Sequence, residues 1–169
     1  VAEIPLGAGA YPQGMAFAGG KGYVALNGTD RIAVLDLAAR TVTRSIDVST
    51  LASGGGRALP SRLLASGGRL YATLWNLDES FAPAGPGRLA VSDTTSDGLV
   101  PGVNPVDLGA ECLDPAGLAL HGSTLWVTCG FLPWSSPTVT GAAIVPVDLS
   151  AAGPVVHPPV PLGGTAPGA

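Results

Sequence analysis

Positive charge is scarce in this sequence. Its 169 residues contain eight Lys and Arg, of which only Lys21 is a lysine, against twelve Asp and Glu, and the formal net charge is −4. Proteins that bind nucleic acid or anionic membranes use basic residues to displace counterions from phosphates. The composition therefore argues against a nucleic-acid partner and against an anionic membrane surface.

Long apolar runs and helical periodicity are also missing. No run approaches the roughly 18 apolar residues that indicate a membrane span, and no long window repeats its apolar residues with a helical period. We therefore expect no membrane insertion. Glycine and proline are abundant, at 25 and 16 residues, while hydrophobic residues make up 46% of the chain. This combination favours a loop-rich, all-β globular protein over a low-complexity chain.

Sequence motifs of catalysis are absent as well. The chain has no G-x-S-x-G elbow, Walker loop or dinucleotide-binding fingerprint. His121 lies in a tight turn and His157 in a Pro-rich segment, so we do not expect them to meet in a Ser-His-Asp arrangement. The two cysteines lack the C-x-x-C spacing or nearby histidines of a metal site, and no cofactor is predicted. These absences favour a non-enzymatic role.

What the sequence does contain is a repeat. A proline is followed eleven residues later by a large aromatic residue in three places, at Pro12 and Tyr23, Pro60 and Tyr71, and Pro115 and Trp126. An aspartate follows the aromatic residue after 13 positions in the first copy and after 22 in the others, at Asp36, Asp93 and Asp148. We expect the aromatic residues to fill the space between neighbouring units and the aspartates to bind backbone amides in turns.

The first copy shows how each unit is expected to fold. Short β-branched runs at 23–26, 31–36 and 41–48 are separated by Gly, Asn and Asp, which is typical of an antiparallel meander. Residues 23–36 resemble, without a gap, the YVTN-type β-propeller repeat, although Ala25 and Leu26 replace its Thr and Asn. The resemblance implies a β-propeller with four-stranded antiparallel blades, of which about three are present. A three-unit β-solenoid is the alternative.

The two ends of the sequence fall at the same phase of this repeat. We expect a single partial propeller domain over 1–169, with 1–10 as the outer strand of a preceding blade, blades at 11–50, 58–109 and 113–163, and 164–169 as the start of a next blade. Propellers usually close their ring with four to eight blades, and three blades would leave apolar flanks in water. Further blades are therefore expected from the same polypeptide, a second copy or another subunit.

The only two cysteines are expected to form a disulfide. Cys112 lies before the third blade and Cys129 lies late in that blade's second strand, so the hairpin around Gly122 brings the chain back toward Cys112. In the propeller arrangement both sulfurs then lie near one face. A disulfide implies an oxidising compartment, outside the cell, on its surface or in the periplasm. Two buried free thiols are the alternative.

Candidate ligand-binding residues lie on loops that a propeller places on one face. Such loops join strand two to strand three of a blade, or one blade to the next, and loops on rigid scaffolds carry most recognition. The enlarged loops are expected at 76–87 and 130–141. The candidates are Arg62, Asp78, Glu79, Glu111, Asp114, Phe131 and Trp134.

Two interpretations are open for each candidate, a ligand-binding role and a purely structural or solvated one. The four acids would form a calcium-like oxygen cluster or are simply solvated. Phe131 and Trp134 would form an aromatic platform for sugar or protein, or pack on their own blade. Arg62 replaces a glycine at the start of the innermost strand, where its guanidinium would bind an anion or contact the channel water or a loop acid.

Three functions are compatible with these features. The preferred one is an extracellular or envelope propeller that serves as an interaction or assembly module for a protein partner or further copies of itself. The second is a non-catalytic or cofactor-bearing part of a periplasmic, quinoprotein-like redox enzyme. The third is a propeller that acts on polysaccharide, with carbohydrate as ligand and catalytic residues outside this segment. The resemblance does not choose among them, because propellers serve many functions.

Overall fold

The computed structural model describes residues 3–131, 140–150 and 153–162. Two single-turn 3-10 helices, Asn27–Thr29 and Ser49–Leu51, lie among its strands. The strands are β1 (Pro12–Ala18), β2 (Lys21–Leu26), β3 (Arg31–Asp36), β4 (Thr41–Asp47), β5 (Pro60–Ser66), β6 (Arg69–Leu74), β7 (Arg88–Asp93), β8 (Gly98–Leu99), β9 (Val106–Asp107), β10 (Pro115–His121), β11 (Thr124–Phe131), β12 (Thr140–Asp148), β13 (Val155–Val156) and β14 (Val160–Pro161). Over the described ranges, no helix is long and apolar enough to cross a membrane.

The strands form three antiparallel sheets in sequence order. The first sheet is β1-β2-β3-β4, the second is β5-β6-β7-β8 and the third is β10-β11-β12-β13. In the second and third sheets the outermost strand is split, so that β9 also pairs with β7 and β14 with β12. The first strands of neighbouring sheets contact one another, with β5 between β1 and β10. This all-β arrangement of radial sheets confirms a partial β-propeller with three blades.

Apolar cores lie between successive blades. Tyr23 is fully buried in the core shared by the first and second blades. Tyr71 is 6% exposed in the core shared by the second and third blades. The prediction that the aromatic residues fill interblade space is confirmed for these two. Trp126 lies on the open flank of the third blade and is 36% exposed, because no sheet in the described part of the chain packs against that face. An interblade role for Trp126 therefore stays a prediction.

The segment before β1 is not a strand. Residues 3–11, which include most of the predicted outer strand 1–10, have no strand conformation. Ile4 and Leu6 instead pack against the core around Val24 and Leu35 on the outer face of the first blade. The prediction was wrong because a strand needs a partner sheet edge, and here the segment covers a sheet face.

The repeated aspartates bind turn amides, as predicted. The Asp36 carboxylate accepts hydrogen bonds from the amides of Ala38 and Ala39 at 2.8 Å. Asp93 and Asp148 do the same in their own blades, and Asp148 accepts from the Ser150 amide at 2.8 Å. Each aspartate therefore fixes the hairpin that follows the third strand of its blade.

The two enlarged connections differ from each other. Residues 75–87 join β6 to β7, and a short antiparallel bridge pairs Leu77 with Pro83 inside this loop. In the third blade, β11 extends to Phe131 and β12 begins at Thr140. The predicted loop 130–141 was therefore too long at both ends, because part of the insertion lengthens the hairpin strands.

Candidate functional site

Asp78 stabilises its own loop. Its Oδ1 accepts hydrogen bonds from the Ser80 hydroxyl at 2.6 Å, the Ser80 amide at 2.8 Å and the Ala82 amide at 3.0 Å. The hydrogen bonds from Ser80 and Ala82 hold the pKa of Asp78 below its usual value. Glu79 beside it is exposed. The structure thus gives Asp78 a loop-forming role, while a ligand at this loop stays a prediction.

Glu111 and Asp114 lie in the loop that leads into the third blade. Glu111 is exposed, whereas Asp114 precedes Pro115 with one carboxylate oxygen buried and without a hydrogen-bond partner in the described part of the protein. Burial raises the pKa of Asp114 to about 6. Among the described residues, no three His, Cys, Asp or Glu side chains are placed to hold a metal ion together.

A disulfide between Cys112 and Cys129 fixes the same loop to β11. Both cysteines are buried, at 0% and 6% exposure. The Gly130 amide also donates to the Leu113 carbonyl oxygen at 2.8 Å. The predicted pairing is confirmed. Such a bond is consistent with a location outside the cytoplasm.

Arg62 connects two blades at the centre of the propeller. Its exposed side chain extends from β5, and its Nε donates to the Ala116 carbonyl oxygen in β10 at 3.0 Å. At the equivalent position of the first blade stands Gly14, where a Cβ atom would overlap the Ser61 carbonyl oxygen of the second blade. The close approach of neighbouring first strands explains this glycine. Anion binding by Arg62 remains a prediction.

The two aromatic candidates are placed differently. Phe131 is half-buried at the end of β11, where it pairs with Thr140. Trp134 lies outside the described residues. A carbohydrate or protein platform in this loop therefore stays a prediction.

A cavity between the second and third blades was not predicted. Its volume is about 440 Å³. Arg69 and Tyr71 line it together with small and apolar residues that include Ser66, Val91, Val100, Val103, Ser123, Leu149 and Gly153. The Arg69 guanidinium lies 3.4 Å from the Asp93 carboxylate, and burial raises the pKa of Tyr71. The available sequence signal was a basic residue two positions before the repeated tyrosine.

At the equivalent place between the first and second blades, an aspartate of the second blade lies against Lys21 and Tyr23. Lys21 and Tyr23 occupy the positions of Arg69 and Tyr71. There the Asp97 carboxylate reaches across from the second blade, 2.7 Å from the Lys21 Nζ and 2.7 Å from the Tyr23 hydroxyl. Burial first, and then the bond to Asp97, raises the pKa of Tyr23.

Both outer flanks of the three-blade unit carry apolar grooves. One groove of about 310 Å³ lies on the third blade, lined by Gly117, Leu118, Ala119, Trp126, Thr128 and Ile144. A second of about 310 Å³ lies on the first blade, lined by Ile4, Leu6, Pro12, Gln13, Gly14, Met15, Val24 and Leu35. The side chains of Met15 and Phe17 on this flank are 50% and 62% exposed.

Comparison with known proteins shows likeness in fold but not in sequence family. No protein-family model matches the sequence, and no curated protein matches it. Among solved structures, Kuenenia stuttgartiensis hydrazine synthase is 21% identical over 96% of this chain and 45% of its own, with a TM-score of 0.71. The computationally designed Ika4 protein is 10% identical over 94% of this chain and 80% of its own, with a TM-score of 0.59.

A further similar structure is dihydro-heme d1 dehydrogenase NirN in complex with DHE. It is 10% identical over 87% of this chain and 27% of its own, with a TM-score of 0.57. This chain therefore spans less than half the length of the two named enzymes. At such identities, similarity extends to the fold alone. The chain is a three-blade portion of a β-propeller fold.

Proposed function

We propose that this chain is an interaction or assembly module that works outside the cytoplasm. Its three blades would pack against further blades, supplied by the same polypeptide, a second copy or another subunit. The observation that carries the proposal is the exposure of Trp126, because its counterparts Tyr23 and Tyr71 are 0% and 6% exposed. Each buried tyrosine is covered by the next blade, and large aromatic rings contribute strongly to such contacts.

The repeat also indicates what would cover Trp126. Leu63 and Ala65 in β5 and Leu70 and Ala72 in β6 belong to the second blade and join the core that buries Tyr23. The same repeat positions of the first blade are occupied by Met15, Phe17, Gly22 and Val24, and two of these are among its exposed apolar residues. One open flank therefore presents the exposed Trp126, and the other presents apolar residues at the positions that cover such a ring. This is the arrangement of a head-to-tail contact between blades.

The Cys112–Cys129 disulfide supports the proposed location. Disulfides persist in oxidising compartments and are rare in most cytosolic proteins. The proposal accordingly places the protein outside the cell, on its surface or in the periplasm.

Light scattering combined with size-exclusion chromatography would test the proposal. We expect the 169-residue chain to associate at micromolar concentration and Trp126→Glu to weaken association at least about tenfold, because a charge would then be buried in an apolar contact. Val42→Glu is the matched control, since Val42 is 40% exposed on β4, away from both grooves. A chain that stays monomeric with or without the substitution would contradict self-association, and the native mass of the intact polypeptide would then have to reveal further blades.

A second candidate function is a propeller within a larger redox enzyme. The fold likeness to hydrazine synthase over 96% of this chain favours it. An absorption spectrum of the protein isolated from its source would test this candidate. A visible haem or quinone band that copurifies with the chain would support it, and a colourless complex would count against it.

A further inference from the structure

The contact between the first and second blades and the contact between the second and third blades form two interblade junctions. They place equivalent residues together, but different groups occupy the space beside those residues. Lys21 and Tyr23 in β2 correspond to Arg69 and Tyr71 in β6, since the basic residue pairs in register with the turn aspartate in both blades. In both junctions a cation and a tyrosine hydroxyl therefore approach the turn after the third strand of the next blade. The chemistry of that turn decides what occupies the space.

In the first junction the turn supplies a carboxylate. Asp97 follows Asp93 in the second blade and forms an ion pair with Lys21 at 2.7 Å. The Tyr23 hydroxyl donates to the same carboxylate at 2.7 Å. The Asp97 side chain is only 14% exposed. The first junction thus shows that a basic residue and a tyrosine hydroxyl in this arrangement bind a carboxylate.

In the second junction the turn supplies none. Residues 149–154 of the third blade read Leu-Ser-Ala-Ala-Gly-Pro and contain no acid. A cavity of about 440 Å³ lies here instead, with Arg69 and Tyr71 on its wall. The Tyr71 hydroxyl donates no hydrogen bond to any described residue, in contrast to the Tyr23 hydroxyl.

We infer that this cavity binds a small molecule through its carboxylate group, with Arg69 and Tyr71 as donors. Arginine suits the role because its planar guanidinium matches a carboxylate. Val91, Val100, Val103 and Leu149 would contact the rest of the molecule, so the ligand class is a small monocarboxylate with an apolar body. The volume is in the range of small-ligand pockets.

Nearby acids do not rule out an anionic ligand. Asp93 lies 3.4 Å from Arg69, and Asp148 lies in the turn of the third blade. Both carboxylates accept hydrogen bonds from turn amides. In the first junction Asp36 and Asp93 hold the corresponding positions, and the Asp97 carboxylate is nevertheless bound beside them. The second junction therefore repeats the basic residue, the tyrosine and the turn aspartates of the first, and it lacks the counterpart of the Asp97 carboxylate.

Calorimetric titration of the full-length protein with sodium benzoate would test the inference, with neutral benzamide as the matched ligand. We expect saturable benzoate binding that is at least about tenfold weaker for benzamide and for Arg69→Gln, because a charge-assisted hydrogen bond is lost in each case. Tyr71→Phe should weaken binding by a smaller factor. Arg31→Gln is the control, since Arg31 forms an exposed ion pair with Asp47 on the first blade.

A substitution that supplies the missing carboxylate gives an independent test. Gly153 lines the cavity, and a Cβ atom there would meet only Val103, at 4.0 Å. We expect Gly153→Asp to abolish benzoate binding and to raise the melting temperature. Equal affinity for benzoate and benzamide, no effect of Arg69→Gln, or no saturable binding up to about 10 mM would overturn the inference. None of these outcomes bears on the flank around Trp126, so the site is tested separately from assembly.

Discussion

At the scale of single residues, Asp114 makes the stability of the fold depend on pH. Its pKa rises from 3.8 to about 6 through burial, so the folded state favours the protonated carboxyl. The stability that this proton contributes is fully present below pH 3.8 and is lost as the pH rises through about 6. We expect Asp114→Asn to raise the free energy of unfolding by about 2 kcal/mol at pH 7.5, which is less than the full shift implies because solvent partly screens this carboxyl, and to change it little at pH 3.5. Urea unfolding at both pH values measures this difference.

The asparagine variant is well matched to this backbone. Asp114 has a φ of 47°, and aspartate and asparagine both tolerate this left-handed region. Glu111→Gln, an exposed neighbour in the same loop, is the control and should leave stability unchanged at both pH values. An equal effect of Asp114→Asn at the two pH values would refute an origin in ionisation.

A substitution at Gly14 would test how closely the first strands of neighbouring blades approach at the centre of the propeller. A Cβ atom there would overlap the Ser61 carbonyl oxygen and lie 2.9 Å from the Arg62 Cα. Both contacts are with backbone, which cannot move as a flexible side chain can. We expect Gly14→Ala to lower the free energy of unfolding by about 2 kcal/mol, as overpacking in a core does. Gly98→Ala is the control, because its Cβ would meet only the Ser96 Oγ, at 3.7 Å.

At the scale of elements, Asn104 takes the place of a missing piece of strand. It lies between β8 and β9, where the outer edge of the second blade is interrupted. Its amide group donates to the Val91 carbonyl oxygen at 2.8 Å and accepts from the Val91 amide at 2.7 Å. A side chain thus makes the two hydrogen bonds that a paired residue would make, and it keeps the split edge attached to β7.

Removing that amide group should loosen the outer edge. We expect Asn104→Ala to cost about 2 kcal/mol, because it leaves the buried Val91 amide without its partner. Hydrogen exchange at Val91 should accelerate accordingly. Thr95→Ala, an exposed position on the neighbouring turn, should change neither quantity. Unchanged protection of Val91 in Asn104→Ala would show that another group satisfies this amide.

The elements that the sequence predicted are those fixed by local chemistry. The repeated proline marks the start of each first strand, and the turn aspartates bind amides two or three residues away. The bond between Lys21 and Asp97 spans 76 residues, so it depends on how blades pack. The cavity at the second junction, where no carboxylate takes the place of Asp97, also depends on how blades pack. The exposure of Trp126 does too. A repeat shows which side chain faces the next blade, but not whether that blade is present.

At the scale of the whole molecule, the apolar cores of the described residues join neighbouring blades. One core joins the first and second blades, and another joins the second and third. The outer face of the third blade has no cover within the described residues, and Trp126 is exposed there. In such a linear array, stability is close to a sum of terms for each unit and each interface. Each end blade should therefore be able to open without the other, and in the third blade the disulfide should limit that opening.

Reduction of the Cys112–Cys129 bond should show that the third blade opens independently of the first. The bond closes a loop with a sequence separation of 17, for which the chain-entropy relation gives about 3 kcal/mol. We expect reduction to accelerate hydrogen exchange in β10, β11 and β12 by about 100-fold while β1 to β4 keep their protection. Mass spectrometry of oxidised and reduced protein measures both, and a double Cys→Ser variant should behave like the reduced form. Equal acceleration in all three blades would mean instead that the blades unfold as one cooperative unit.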